Sequence, residues 1–194
     1  MSDDTPTTMQ ARDLVLAVID AASGRPDFGR TSLQKTTFFA AIALGVDLGH
    51  SAYYYGPYSA AVEQDTEALV MATLVEEDSS TIGVNNRGFP ITRYQYKVSS
   101  DGKQRVQQLK GKYPTEVGVV DELVKQLVAV IGSLDQTTLA AAAKTYYIAR
   151  EQGSPVTPDT VADLAKDYGW TLRADRVADA ANVLNSLNLV EVQR

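Results

Sequence analysis

The sequence predicts a mainly α-helical protein with one small β-hairpin, an N-terminal winged helix followed by a C-terminal helical region. Apolar residues recur at helical spacing through most of the 194-residue chain. Residues 91–98 instead alternate with the period of two that is typical of a strand. The sequence Asn85-Asn86-Arg87-Gly88 precedes them, and Asn and Gly tolerate the positive φ that hairpin turns require.

Two helices are predicted near the N-terminus. Thr7 and Gln10 have the spacing of a capping box, in which each side chain satisfies a free backbone N–H, and they predict a first helix over residues 8–22. Thr31 and Gln34 have the same spacing and predict the start of the second helix.

A third helix is predicted after a short aromatic segment. Residues 53–55 are three tyrosines in an extended segment, which Gly56 and Pro57 interrupt. Ser59 then provides an N-cap. The buried face of this helix is expected to hold Val62, Thr66, Leu69 and Thr73. Three helices followed by a two-stranded hairpin is the element order of a winged helix.

The hairpin strands follow the third helix. The first strand is predicted at residues 74–78. On the return strand, alternation places Tyr94 and Tyr96 on one face and Arg93 and Lys97 on the other.

The second half of the chain is predicted to be helical. Apolar stripes indicate helices near residues 100–112, 116–133, 136–151, 158–168 and 174–187. Pro158 follows Thr157, and proline suits the first turn of a helix. The expected organisation is a winged-helix domain over residues 1–98 and a helical domain over residues 99–194.

An internal similarity concerns the last of these helices. The pattern Val, Leu and Leu-Val-Glu within residues 62–76 recurs at the same spacing within residues 177–191. Two interpretations stay open. In the first, the similarity has no special meaning, because any corner between a helix and a strand has this pattern. In the second, the chain has a second helix-turn-helix at residues 158–192.

The third predicted helix and its strand are acidic. Six acids and no basic residue lie between Pro57 and Ser80. In an ordinary winged helix the third helix enters the major groove, where these acids would face phosphates. Glu63, Asp65 and Glu67 are therefore candidates for binding a basic partner protein.

The wing has the opposite charge. Seven basic residues and one acid lie between Ile82 and Lys112. The candidates for binding nucleic acid are Arg87, Arg93, Lys97, Lys103, Arg105 and Lys110. The alternative is that these residues pair with acids elsewhere in the chain, and both interpretations stay open.

The sequence offers little support for an enzyme. His50 is the only histidine and lies in Gly49-His50-Ser51, a loop context in which it is expected to be exposed or to act as a cap. The chain has no cysteine, and no nucleophile motif accompanies His50. No catalytic residue, cofactor or metal site is therefore expected. The absence of cysteine and of a long apolar run predicts a cytoplasmic protein without a membrane partner.

Several short motifs are similar to those of a known family. They are Leu33-Gln34-Lys35, Phe38-Phe39-Ala40, Tyr55-Gly56-Pro57-Tyr58-Ser59 and Leu74-Val75-Glu76-Glu77. Through these motifs, about the first hundred residues resemble the bacterial and archaeal YwgA-like family, which is related to the antitoxin-type Panacea domains. The resemblance implies a winged-helix-like fold, and its Panacea relatives imply binding to a toxin. It carries over no catalytic residue.

The corner from Tyr55 to Ser59 is interpreted as structural. Gly56 permits a tight bend and Pro57 fixes φ where the chain stops extending. Tyr55 and Tyr58 are expected to pack between the second and third helices, the alternative being that they stack on nucleobases.

These observations predict a non-enzymatic winged-helix regulatory or adaptor protein that acts by binding a macromolecule, with nucleic acid reached through the basic wing. The alternative is an antitoxin-like module that neutralises or regulates a partner protein. The expected partner is a protein or a nucleic acid. A second copy of the chain, which would form a homodimer, is one such protein partner.

Overall fold

The structure, a computed structural model, describes residues 9–26, 28–153 and 155–189. Its α-helices are α1 Ala11–Ala21, α2 Arg30–Leu44, α3 Ala60–Met71, α4 Ser100–Lys112, α5 Pro114–Ile131, α6 Gln136–Gln152, α7 Pro158–Leu164 and α8 Ala174–Ser186. A 3-10 helix, Ala165–Tyr168, continues α7. Strands β1 Val75–Val84 and β2 Pro90–Val98 form an antiparallel hairpin between α3 and α4. The predicted class, mainly α with a small hairpin, is confirmed.

The third helix forms where the sequence predicts it. The hydroxyl of Ser59 accepts a hydrogen bond from the backbone N–H of Val62 at 3.2 Å, which caps α3. Val62, Thr66 and Leu69 are buried, as expected. Thr73 is not part of this buried face, because α3 ends at Met71 and Thr73 is exposed beyond it.

The capping pair predicted at Thr31 and Gln34 is wrong. Helix α2 begins at Arg30 and its N-cap position is Gly29, two residues before Thr31, with no side-chain cap. The Gln34 amide instead exchanges two hydrogen bonds with the backbone of Ser59, at 2.9 and 3.0 Å. A partner from another part of the fold therefore takes the side chain that a local cap would use.

The first helix is described from Ala11 to Ala21. Residue Gln10 occupies its N-cap position without a side-chain hydrogen bond. The predicted start at residue 8 is too early, because Met9 and Gln10 lie outside the helix and the backbone of Gln10 is extended. The cap from Thr7 lies outside the described residues.

The hairpin is longer than predicted. Strand β1 continues past residue 78 to Val84, with a register shift between Thr81 and Gly83. Asn85 closes the predicted turn, because its backbone N–H donates to the Phe89 carbonyl at 2.8 Å. The alternation on β2 is confirmed: Tyr96 and Val98 are buried and Tyr94 partly buried, whereas Arg93, Gln95 and Lys97 are exposed.

One hydrophobic core cluster combines both halves of the chain. Helix α1 packs against α3, α4 and α5, while α2 packs against α5 and α6. Buried residues from both sides of residue 98, such as Phe39 and Leu127, belong to this cluster. A smaller cluster surrounds Trp170 and Ile148. The division into domains over residues 1–98 and 99–194 stays a prediction.

The internal similarity extends to backbone conformation. Among the described residues, Thr73 and Asn188 are the two non-glycine residues with positive φ, at 58° and 54°, and they occupy equivalent positions in the repeated pattern. Each is followed by a leucine whose N–H donates to a leucine carbonyl five residues earlier, at 3.0 Å. The second helix-turn-helix stays a prediction, because Val190 and the residues after it lie outside the described part of the chain.

Candidate functional site

The inner face of the hairpin base is fixed to α2 through Arg30. Its guanidinium carbon lies 3.6 Å from the centre of the Tyr94 ring, and its Nε donates to the Tyr96 hydroxyl at 3.2 Å. The Tyr96 hydroxyl donates in turn to Glu77 at 2.7 Å. Burial, followed by this hydrogen bond, raises the pKa of Tyr96, so its hydroxyl remains a donor. The hairpin is anchored as far as Tyr94.

Beyond this anchor the hairpin exposes apolar side chains. The exposed fractions are 56% for Ile82, 66% for Val84, 64% for Phe89 and 44% for Ile91. Arg87 is exposed in the turn, and residues 79–92 contain no acid. We call residues 82–91 the hairpin tip. Nothing in the sequence pattern singles out these apolar side chains, because residues 82, 84 and 89 lie outside the predicted strands and Ile91 shares a face with Arg93 and Lys97.

The six basic candidates divide into two groups. Three form ion pairs within the chain, with N···O distances of 2.9 Å for Lys97–Glu76, 2.8 Å for Arg105–Asp13 and 3.4 Å for Lys110–Asp20. The side chains of Arg87, Arg93 and Lys103 are exposed. The interpretation that basic residues pair with acids of the same chain therefore holds for at least three of the six.

The acids of α3 are largely engaged. Glu63 accepts a short hydrogen bond from the Tyr58 hydroxyl, which raises the pKa of Tyr58 to about 12. Asp65 pairs with Arg12 at 3.0 Å. Glu67 is exposed and lines a small cavity of 50 Å³ beside Glu63. The surface predicted to bind a basic partner is therefore partly neutralised.

The expectation that Tyr55 packs between helices is wrong. An antiparallel bridge between Ser51 and Tyr58 closes a turn that we call the tyrosine loop, residues 51–58. Tyr53, Tyr54 and Tyr55 expose 52, 78 and 72% of their surface. Gly56, at a φ of 101°, and Pro57 are the buried part of the loop. Because the backbone makes the close contact, the side chains of Tyr53, Tyr54 and Tyr55 face outward. Tyr58 is half-buried and, as expected, lies beside residues of α2 and α3, such as Leu33 and Glu63.

Two of the sequence motifs contact each other in the fold. The Lys35 ammonium donates to the Pro57 carbonyl at 2.6 Å, next to the paired hydrogen bonds between Gln34 and Ser59. Leu33 is buried beside them. The co-occurrence of the Leu-Gln-Lys and Tyr-Gly-Pro-Tyr-Ser motifs thus has a structural explanation.

His50 is neither exposed nor a helix cap, which corrects the expectation for it. Its ring meets the Phe38 ring edge-on, with centres 5.0 Å apart. Its Nε2 is buried and has no hydrogen-bond partner in the described part of the chain. Burial, followed by the charge of Lys35, lowers the pKa of His50 to about 4. His50 lines a cavity of 470 Å³ that α2 and α6 form together with the loop between residues 45 and 50.

We expect His50 to stay neutral until the pH falls to about 4. Its pKa in the folded protein lies below the ordinary 6.5, so the unfolded chain binds more protons between these values. The free energy of unfolding should therefore fall as the pH drops from 6.5 to 4, by about 3 kcal/mol at most. A proton NMR titration of the imidazole measures this pKa directly, because the chain has one histidine. A midpoint at or above 6.5 would contradict the packing described for His50.

No known protein-family model matches the chain, and no curated protein is significantly similar to it in sequence. The resemblance to the YwgA-like family therefore stays a prediction. Within residues 9–26, 28–153 and 155–189, no helix has the length and apolar character needed to cross a membrane. The same residues contain no group of three or more His, Asp or Glu side chains placed to hold a metal ion.

Proposed function

We propose that this chain is a non-enzymatic regulatory or adaptor protein of the cytoplasm that binds a partner protein through the hairpin tip. The observation that carries the proposal is the set of four large apolar side chains, each exposed by 44 to 66%, close to Arg87 at the end of the hairpin. The pairing of Val84 with Pro90 and of Gly83 with Ile91 places Val84 and Ile91 on opposite faces, so both faces of the tip expose apolar side chains. Exposed apolar surface of this kind is characteristic of interaction sites.

The composition of the tip favours a protein partner over a nucleic acid. Aromatic residues and arginine are enriched at the centres of protein interfaces, whereas acids are depleted there. Phe89 and Arg87 fit this composition, and residues 79–92 contain no acid. A nucleic-acid surface would instead present several unpaired cations to phosphates, and Lys97 of the hairpin is paired with Glu76.

Nucleic acid is the second candidate, favoured by the exposed side chains of Arg87, Arg93 and Lys103. An antitoxin-like use of α3 has less support, because Glu63 and Asp65 are engaged within the chain. A partner protein bound at the tip remains compatible with an antitoxin-like role.

The test combines two substitutions at the tip, Phe89→Ser and Ile91→Ser, in the full chain. Loss of a central apolar anchor costs about 2 kcal/mol of binding energy or more, so capture of the partner should fall by at least about tenfold. The melting temperature should change little, because both side chains are exposed. The readout is quantitative pull-down from native lysate, with and without nuclease, preceded by sedimentation to detect a second copy of the chain.

Met71→Ser is the matched control, since Met71 is an apolar side chain exposed by 85% outside the tip. It should retain the partner. Capture that disappears with nuclease, and that depends on Arg87 rather than on Phe89, would replace the protein partner with a nucleic acid.

A further inference from the structure

Two lysines from distant parts of the chain meet beneath the tyrosine loop. Lys35 lies on α2 and is 2% exposed, whereas Lys144 lies on α6 and is partly buried. Both ε-carbons lie 3.5 Å from the point where a β-carbon on Gly56 would stand. We call these two residues the lysine pair. Glycine at this loop position leaves room for both side chains.

The charge of the lysine pair is not balanced by an acid. Neither ammonium forms an ion pair within 4.0 Å among the described residues; Lys35 contacts the Pro57 carbonyl, and Lys144 lies 5.5 Å from the centre of the Trp170 ring. Burial, followed by the charge of Lys144, lowers the pKa of Lys35 to about 8. Buried cations without a partner are costly in free energy. Such groups are characteristic of functional sites.

Unpaired polar atoms are concentrated on the same elements. Five buried side-chain N or O atoms of the described residues lack a hydrogen-bond partner, and four of them belong to α2, α6 and the loop after α2. The four are Thr36 Oγ1, Thr37 Oγ1, His50 Nε2 and Thr145 Oγ1. Of the four, His50 is the residue that lines the cavity between α2 and α6, so its unpaired Nε2 is a position where a ligand would find a hydrogen-bond partner.

The cavity between α2 and α6 lies one helical turn from the lysine pair. Lys35 precedes Phe38 by three residues on α2, and Lys144 precedes Tyr147 by three on α6, and both aromatic residues line the cavity. Its volume, 470 Å³, is within the usual range for small-molecule sites. Asp47, Glu151 and Arg150 also line it and leave its charged lining with one net negative charge, whereas the positive charge of the lysine pair lies beyond the lining, next to Phe38 and Tyr147.

We propose that the lysine pair and the adjoining cavity bind a small organic anion, with a phosphate or carboxylate group at the lysines and an apolar body against the aromatic walls. This site lies on α2 and α6, apart from the hairpin tip, and is independent of the partner proposed there. An anion bound at this position neutralises two ammonium groups that have no acidic ion-pair partner among the described residues.

Inorganic phosphate and acetate serve as probes of the anion subsite. The melting temperature of the full chain is measured in each probe and in sodium chloride of equal ionic strength, which separates specific binding from general salt effects. A site with a millimolar dissociation constant raises the midpoint by about 3–5 °C at a tenfold excess of anion. The stronger of the two probes identifies whether phosphate or carboxylate is preferred.

Three variants locate the effect. Lys144→Met and Lys35→Met should abolish the rise, whereas Lys125→Met, which removes an exposed lysine of α5, should preserve it. Because Lys144 is only partly buried, Lys144→Met is expected to fold. Its response to the two probes therefore tests the site independently of Lys35→Met. The proposal is overturned if neither probe exceeds chloride, or if Lys144→Met responds like the wild type.

Discussion

Gly102→Ala should lower the free energy of unfolding by about 3 kcal/mol, at the upper end of the range for overpacked sites. A β-carbon at Gly102 would stand 2.0 Å from the Leu74 carbonyl oxygen and 2.6 Å from a methyl group of Val98. The Leu74 carbonyl cannot withdraw freely, because it accepts the Ser99 N–H at 3.1 Å. The Ser99 hydroxyl also caps α4 through the Gly102 N–H and donates to the Thr73 carbonyl. The substitution therefore separates the hairpin base from α4.

Gly111→Ala is the matched control within the same helix. No atom lies within 4 Å of its β-carbon position, so alanine should raise stability by up to about 1 kcal/mol through its greater helix propensity. Urea denaturation of the two variants measures the contrast. Equal effects at both positions would show that the close packing at Gly102 is wrong.

Lys35→Met should stabilise the protein at neutral pH by about 2 kcal/mol, an unusual sign for a buried position. Burial lowers the pKa of Lys35 from its ordinary 10.5 to about 8, a difference that corresponds to about 3 kcal/mol of destabilisation when the amine is charged. Methionine removes this cost, but it leaves the Pro57 carbonyl without its donor, which costs about 1 kcal/mol. Replacing a buried charge with an apolar side chain is often stabilising for this reason.

The pH dependence identifies the cause. Because the folded pKa of Lys35 is below 10.5, the unfolded chain binds more protons between pH 8 and 10.5. The wild type should therefore gain stability as the pH rises through this window, whereas Lys35→Met lacks this gain. The advantage of the variant is largest below pH 8, and it becomes a disadvantage of about 1 kcal/mol by pH 10.5, where the lost hydrogen bond to Pro57 remains. Urea denaturation at several pH values measures the difference, and parallel curves for the two proteins would contradict it.

The stability of Lys35→Met also bears on the anion site. A variant that is more stable than the wild type, yet no longer responds to phosphate or acetate, would show that Lys35 is retained at a cost to folding. Trade-offs of this kind are expected where a site needs a buried charge.

The helices and the hairpin are predictable from the sequence, because local signals dominate these elements. The cap at Ser59, the turn at Asn85 and the alternation of β2 depend on residues within a few positions of one another. The helical stripe through Val120 and Leu127 likewise needs only the helical period, and both residues are buried.

Local signals failed where distant groups compete for a side chain. Gln34 has the spacing of a capping residue, but the backbone of Ser59, 25 residues away, takes its amide. Tyr55 has the character of a core residue, but the close approach of Gly56 to the lysine pair directs its side chain outward. No periodicity reports such contacts, because they depend on which helices are neighbours.

Neither candidate site can be found without the tertiary structure. It showed that the Arg105 and Lys110 charges are offset by acids of α1, and that the apolar residues of the hairpin tip remain exposed. It also brought Lys35 together with Lys144, which no motif connects in the sequence. The physical reason is the same in each case: charge compensation and burial are properties of positions in space, set by the packing of α1 on α4 and of α2 on α6.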